Sequence, residues 1–113
     1  MGLEKLLLTG LAASPGVGIG PVRIVHNSSE LDTLQKGDVL VAETTSPDFI
    51  VAMKRVVAIV TDRGGRTCHA AIVCRELGIP CVVGTESATK LLSTGQEVIV
   101  DGSQGKVFNG ERK

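Results

Sequence analysis

A strand, a glycine pair, a helix and a second strand follow one another in the stretch 56–83, which constrains the fold more than any other part of the chain. The largely apolar run near Val57 to Thr61 predicts a strand, and Gly64-Gly65 ends it. Gly78, with a proline two residues later, is typical of a helix end. The apolar run Cys81–Val83 then predicts another strand. Strands that alternate with helices in this way indicate the α/β fold class.

The rest of the chain continues this alternation. Further strands are predicted at 21–25, 39–44, 97–101 and 106–108, a short helix or turn at 28–34, and short helices at 47–56 and 86–92. Ser46 is expected at the N-cap of the helix that begins with Pro47. The glycine-rich segment 11–20 predicts a turn that leads into a strand. Its glycines do not have the GxGxxG spacing of a dinucleotide site, so close backbone packing explains them better.

Composition limits the classes of function. A chain of 113 residues forms about one domain, 1–113, which is too small to hold separate nucleotide, acceptor and carrier sites. Twelve basic and twelve acidic residues cancel, and Phe49 and Phe108 are the only aromatic residues, so we expect no binding to nucleic acid or to a membrane surface. Short apolar stretches and a first segment without a cleavage region predict a cytoplasmic protein.

The three cysteines favour a reducing compartment over a disulfide framework. Cys68, Cys74 and Cys81 form an odd set without framework spacing. A zinc site made by these cysteines and His69 is disfavoured, because the chain has no CxxC pair. Cys74 is better placed on the buried face of the predicted helix. That face comprises Ala70, Val73, Cys74 and Leu77.

His69 is predicted to lie in the first turn of the helix that follows the glycine pair. The first backbone N–H groups of a helix lack internal partners, and the helix dipole adds roughly half a positive charge there. An anion is therefore stabilised at this position, whereas an imidazolium ring is disfavoured. This pattern indicates that His69 is a nucleophile that carries a phosphoryl group.

Four segments carry a resemblance to a known family. They read GGRTCHAAIVCRELGIPCVVG at 64–84, ASPGVGIGPV at 13–22, KGDVLVAETTSPDF at 36–49 and VIVDGSQGKVFNG at 98–110. Together they cover most of the chain. The sequence resembles the mobile, swivelling phosphohistidine domain of phosphoenolpyruvate-utilising enzymes. Within that family, Thr67-Cys68-His69 is most similar to the phosphoenolpyruvate synthase (pyruvate, water dikinase) group.

The resemblance implies a swivelling β/β/α fold and a division of labour between domains. His69 would be phosphorylated from ATP in a separate ATP-grasp domain. The phosphoryl group would then pass to pyruvate in a phosphoenolpyruvate/pyruvate-binding barrel domain. Mg²⁺ and ATP would belong to these partner domains, and this domain would bind no cofactor. The alternatives are a carrier domain of pyruvate, phosphate dikinase or of the sugar-phosphotransferase Enzyme I, and a non-catalytic module like the extra C-terminal domain of some bacterial pyruvate kinases.

Residues around His69 are expected to bind or orient the phosphate. Thr67 is predicted to cap the helix and to face the acceptor, and the resemblance makes it a candidate for regulatory phosphorylation. Arg63 and Arg66 lie in the loop that faces the phosphoryl group, where a guanidinium suits phosphate. Gly65 and Cys68 complete this predicted set. Arg75 and Glu76 are interpreted as a solvated helix face, and His26 is interpreted as a surface or packing residue.

Overall fold

The computed structural model describes residues 5–110, in which eight strands and three short α-helices are formed. The strands are β1 (Leu6–Thr9), β2 (Leu11–Ser14), β3 (Val17–Val25), β4 (Val39–Ala42), β5 (Ala58–Thr61), β6 (Cys81–Val83), β7 (Glu97–Asp101) and β8 (Lys106–Asn109). The helices are α1 (Ile50–Met53), α2 (His69–Leu77) and α3 (Ala88–Leu91). Two 3₁₀ helices occupy Ser28–Thr33 and Pro47–Phe49.

The strands form one hydrogen-bonded series in the order β1-β8-β7-β3-β4-β5-β6-β2. The pairs β3/β4, β4/β5 and β5/β6 are parallel, whereas β2, β7, β8 and β1 join through antiparallel pairs. The nine-residue strand β3 links both parts, because its first half pairs with β7 and its second half with β4. The long strand thus belongs to two sheets.

Two apolar cores separate three layers. One core lies between the parallel sheet and the antiparallel sheet and includes Val41 of β4, Val100 of β7 and Val107 of β8. The other lies on the opposite face of the parallel sheet, where Met53 of α1 and Cys74 of α2 pack. The layer order is therefore β/β/α, as expected. None of the helices within residues 5–110 has the length and apolar character needed to cross a membrane.

The buried strands confirm the pattern that predicted them. Every residue of β4 and of β5 is buried, which explains why both read as continuous apolar runs instead of alternating ones. Helix α2 ends as predicted, because Gly78 adopts a left-handed conformation with φ of 74° and its N–H donates to the carbonyl of Cys74. The predicted buried face of α2 needs one correction: Leu77 is 36% exposed, whereas Ala71 is fully buried.

The segment 11–20 is strand over most of its length, so the predicted turn is wrong there. Its glycines nevertheless pack closely, as expected. A Cβ added at Gly18 would lie 2.5 Å from the carbonyl oxygen of Val57, and one at Gly20 would overlap the carbonyl oxygen of Gly37. Both strand positions require glycine because backbone from another element lies directly against them.

Substitution of Gly20 tests this packing. We expect Gly20→Ala to lower the free energy of unfolding by about 1–3 kcal/mol, since the added methyl group must displace backbone atoms. Urea unfolding measures the change. Gly65→Ala is the matched control, because a Cβ there meets nothing within 4 Å. Equal stability of the Gly20→Ala variant and the parent would contradict this account.

Candidate functional site

Three segments follow the carboxyl ends of the parallel strands β4, β5 and β6, and the first two of them meet at His69. The segment after β4 carries Thr45, the segment after β5 leads into α2, and Gly84 follows β6. We name residues 62–68, which join β5 to α2, the glycine loop. His69 is the first residue of α2 and lies directly after this loop. This edge of an open α/β sheet is where ligand sites are usually built.

The two ring nitrogens of His69 have different environments. Nδ1 lies 2.8 Å from the hydroxyl oxygen of Thr45, which is buried. Nε2 is also buried, but it has no hydrogen-bond partner among the described residues. If Nδ1 carries the proton and donates it to Thr45, Nε2 keeps a free lone pair. Thr45 was not among the residues predicted for the site.

The glycine loop has a defined conformation. Gly64 has a φ of +125°, and a Cβ at this position would lie 2.8 Å from the sulfur of Cys68. Gly64 is therefore needed both for the backbone angle and for the space. A turn follows, in which the N–H of Cys68 donates a hydrogen bond to the carbonyl of Gly65 at 3.1 Å. Gly65 itself has open space around its Cα, so the fold does not require a glycine there.

The N-terminus of α2 differs from the prediction at one position. Cys68, and not Thr67, is the N-cap, and within residues 5–110 no side chain accepts a hydrogen bond from the first N–H groups of the helix. Thr67 lies in the preceding turn and is exposed. The first turn of α2 is thus left open for an acceptor oxygen from outside.

The two arginines of the glycine loop have different environments. Arg63 pairs through Nε with a carboxylate oxygen of Glu43 at 3.0 Å, and both side chains are mostly exposed. This surface ion pair directs Arg63 towards the loop after β4. The side chain of Arg66 is exposed and forms neither an ion pair nor a hydrogen bond within residues 5–110. Arg66 is therefore the guanidinium of this loop that is available to an incoming anion.

Arg75 is exposed on the surface of α2, as predicted, but its guanidinium also forms two hydrogen bonds that the sequence did not indicate. Its Nη1 donates to the carbonyl of Ala13 at 2.8 Å, and its Nη2 donates to the carbonyl of Arg66 at 2.7 Å. The side chain thus ties α2 to β2 and to the glycine loop. Periodicity places Arg75 on the outer side of the helix, but a long side chain can reach back along the helix to bind the backbone.

A cleft of about 220 Å³ opens beside Thr45 and includes carboxylates of Glu43 and Asp48. The hydroxyl of Ser46 donates to the Asp48 carboxylate. This hydrogen bond lowers the pKa of the Asp48 carboxyl. Ser46 is the N-cap of its helix as predicted, yet its hydroxyl binds this carboxylate and not a backbone N–H. The cleft wall is therefore negatively charged.

The cysteines pack in the helix-side core near the site. Cys74 and Cys81 are buried, Cys68 is half-buried, and all three are free thiols. A hydrogen bond with Cys74, together with burial, raises the pKa of the Cys81 thiol far above its ordinary value. Cys81 is thus protonated and acts as a small apolar side chain. Across residues 5–110, no three His, Cys, Asp or Glu side chains are grouped so that they could hold a metal ion.

Comparison with known proteins defines the class. The chain belongs to the family described as PEP-utilising enzyme, mobile domain, whose model matches residues 34–105. It is 58% identical to the phosphoenolpyruvate synthase of Pyrococcus furiosus and 52% identical to that of Pseudomonas aeruginosa, over 94% of this chain in both cases. These matches span 13% and 14% of the two enzymes, so most of each enzyme lies outside the matched region.

A solved structure supports the same assignment. The NMR structure of an Enzyme I protein is 40% identical and superposes with a TM-score of 0.62. The match covers 73% of this chain and 34% of the Enzyme I chain. The family resemblance seen in the motifs and the expected fold are therefore confirmed.

Proposed function

We propose that this chain is the phosphoryl carrier domain of a larger phosphoenolpyruvate synthase and that His69 holds the phosphoryl group. The environment of the His69 ring carries the proposal: Nδ1 contacts Thr45, whereas Nε2 is buried without a partner among the described residues. An unsatisfied buried polar atom costs about 1–3 kcal/mol, and in a native protein it needs an explanation. A role as phosphoryl acceptor explains why this nitrogen is kept free.

The ring reacts through Nε2, and before transfer Thr45 holds the other nitrogen. The lone pair of Nε2 forms a bond to phosphorus, and the bond between phosphorus and the leaving oxygen of the donor breaks. The proton stays on Nδ1. Positive charge on the ring is then balanced by the phosphate dianion. In the second transfer the nitrogen–phosphorus bond breaks, and the enolate oxygen of pyruvate takes the phosphoryl group.

Transfer requires that the ring becomes accessible. Because Nε2 is buried, the His69 ring must turn outward before a donor can reach it. This motion breaks the hydrogen bond between Nδ1 and Thr45, whereas Nε2 has no hydrogen bond to a described residue that would have to be broken. An outward phosphoryl group would then be close to the open first turn of α2 and to the loop that carries Arg66, where N–H groups and a guanidinium can bind its oxygens. The open space at Gly65 allows a partner domain to approach closely.

The partners are domains that lie outside this chain. We assign ATP and Mg²⁺ to an ATP-grasp domain, pyruvate to a barrel domain, and no cofactor to this one, which would work in the cytoplasm. The small share of the relatives that this chain covers supports such a division. A tether between domains raises the effective concentration of the carrier at each site, so swivelling can replace a single composite active site.

The nitrogen that becomes phosphorylated tests the proposal. The donor system consists of Mg²⁺, ATP and the P. furiosus synthase from which the region matching this chain has been deleted. After incubation with it, we expect this chain, labelled with ¹⁵N-histidine, to show coupling between phosphorus and Nε2 of His69 by NMR. Coupling to Nδ1 would contradict the assignment. Absence of any phosphohistidine would favour a non-catalytic accessory module.

A further inference from the structure

Arg75 has two hydrogen bonds that the proposed function does not explain. One guanidinium binds the carbonyl of Ala13 at 2.8 Å and that of Arg66 at 2.7 Å, although these residues lie 62 and nine positions away in the sequence. Charge-assisted hydrogen bonds of this length are stronger than neutral ones. The planar fork of arginine suits two acceptors at once, which a lysine cannot match.

The first acceptor exists because β2 is irregular. The register between β2 and β6 shifts between Ala12 and Ser14, so the intervening Ala13 lies at a bulge. A bulge takes a residue out of the regular ladder and leaves its backbone groups without ladder partners. Ala13 is buried, with 3% of its surface exposed, so its carbonyl needs a partner from elsewhere. Arg75 supplies that partner.

The second acceptor lies in the glycine loop, in the turn that precedes His69. Two adjacent glycines give this segment more conformational freedom than any other residue pair would. The turn bond between Cys68 and Gly65 restrains it locally. The hydrogen bond from Arg75 to Arg66 restrains it against α2, because Arg75 is within that helix and its side chain leans towards the helix N-terminus.

We infer that Arg75 is a positioning residue for transfer at His69, which acts by holding the glycine loop against α2 and the bulge of β2. This inference rests on the proposed function, since it assigns Arg75 a role in phosphoryl transfer. Arg75 does not touch the His69 ring in the described contacts. By holding the glycine loop, Arg75 fixes the position of Arg66 and the starting position of the His69 ring, from which the ring turns outward. A displacement of about 1 Å at a reacting group can slow a reaction by about a hundredfold.

The Arg75→Met variant tests this role with two independent measurements. We expect exchange of the Cys68 amide, which closes the turn of the glycine loop on Gly65, to become at least about tenfold faster, while amides of β4 and β5 remain protected. With the donor system, we expect the maximal labelling rate of His69 to fall by about tenfold or more. The concentration of donor enzyme that gives half the maximal rate should stay the same, because the positioning role does not involve contact with the partner.

Two further variants serve as comparisons. Arg75→Lys keeps the charge and can bind one of the two carbonyls, so we expect exchange and labelling rates between those of Arg75→Met and the parent. Arg55→Met removes an exposed arginine that follows α1, outside the glycine loop and α2, and should leave both measurements unchanged. If Arg75→Met unfolds, the lysine variant still tests the inference through the same two measurements.

The outcomes separate this inference from the proposed function. Parent-like loop exchange and a parent-like labelling rate in both Arg75 variants would overturn the positioning role. Faster loop exchange with an unchanged labelling rate would also overturn it, since Arg75 would then be structural only. Persistence of the label in a His69→Ala variant would instead refute the proposed function, whatever the exchange data show.

Discussion

We expect the His69→Ala variant to take up no phosphoryl group from the donor system, whereas the parent chain is labelled stoichiometrically. The substitution removes Nε2, the atom that we propose forms the bond to phosphorus. An alanine side chain at this position keeps the helix and its buried face, because Ala70, Ala71 and Cys74 provide the packing. Mass spectrometry at alkaline pH measures the effect, since a phosphoramidate is stable in base and labile in acid.

The chain offers a matched control for this result. His26 is exposed and follows β3 directly. It also lines the cleft beside Thr45, so it lies on the same surface that a donor domain would approach. His26→Ala should be labelled like the parent. Full labelling of His69→Ala, or loss of labelling in His26→Ala alone, would show that the carrier histidine has been assigned wrongly.

The parts of the fold that were predicted correctly are those governed by local pattern. Continuous apolar runs predicted β4 and β5, and both are buried at every position. Gly78 with the following Ile-Pro pair predicted the end of α2, because a left-handed glycine closes the helix with local hydrogen bonds. The hairpin of β7 and β8 was also predicted close to its observed bounds. Each of these signals depends on residues within a few positions of one another.

The errors in the fold arose where tertiary contacts decide. Glycines at 18 and 20 weaken a strand locally, so the segment before residue 21 was predicted as a turn. In the structure these glycines lie within β3, because the carbonyls of Val57 and Gly37 pack against them. Strand β1 was not predicted either. It is an edge strand whose partner β8 lies at the other end of the described chain, and a short segment gives no local sign of such pairing.

The site was predicted only around His69. Thr45 lies 24 residues before the histidine, yet its position held a usable signal: it follows a predicted buried strand, and the ends of parallel strands meet at one edge. Arg75 held no such signal. Its partner Ala13 becomes available through a bulge in a distant strand, which no local pattern indicates. Long-range backbone contacts of this kind must be seen in a structure.

A negative charge at Thr67 is expected to block phosphoryl transfer to His69. This is the second of the two large effects that we predict. Thr67 is exposed in the turn just before α2, two residues from His69. Thr67→Glu places a negative charge where the phosphoryl group must approach. Two like charges about 6 Å apart at an effective dielectric constant of about 20 repel each other by roughly 3 kcal/mol. Solvent screening reduces this energy at an exposed position, so we expect labelling of His69 to slow by at least about tenfold.

Two variants separate charge from size at Thr67. Thr67→Gln has nearly the same size as the glutamate variant but carries no charge, so it should be labelled much faster. Thr67→Ser keeps the hydroxyl and should label like the parent, since the hydroxyl does not cap α2. Initial labelling rates at low and high salt measure the effect, and salt should partly restore the glutamate variant. The same repulsion would let a phosphate on Thr67 switch the carrier off. Equal rates for Thr67→Glu and Thr67→Gln at low salt would show that this side chain points away from the path of the phosphoryl group.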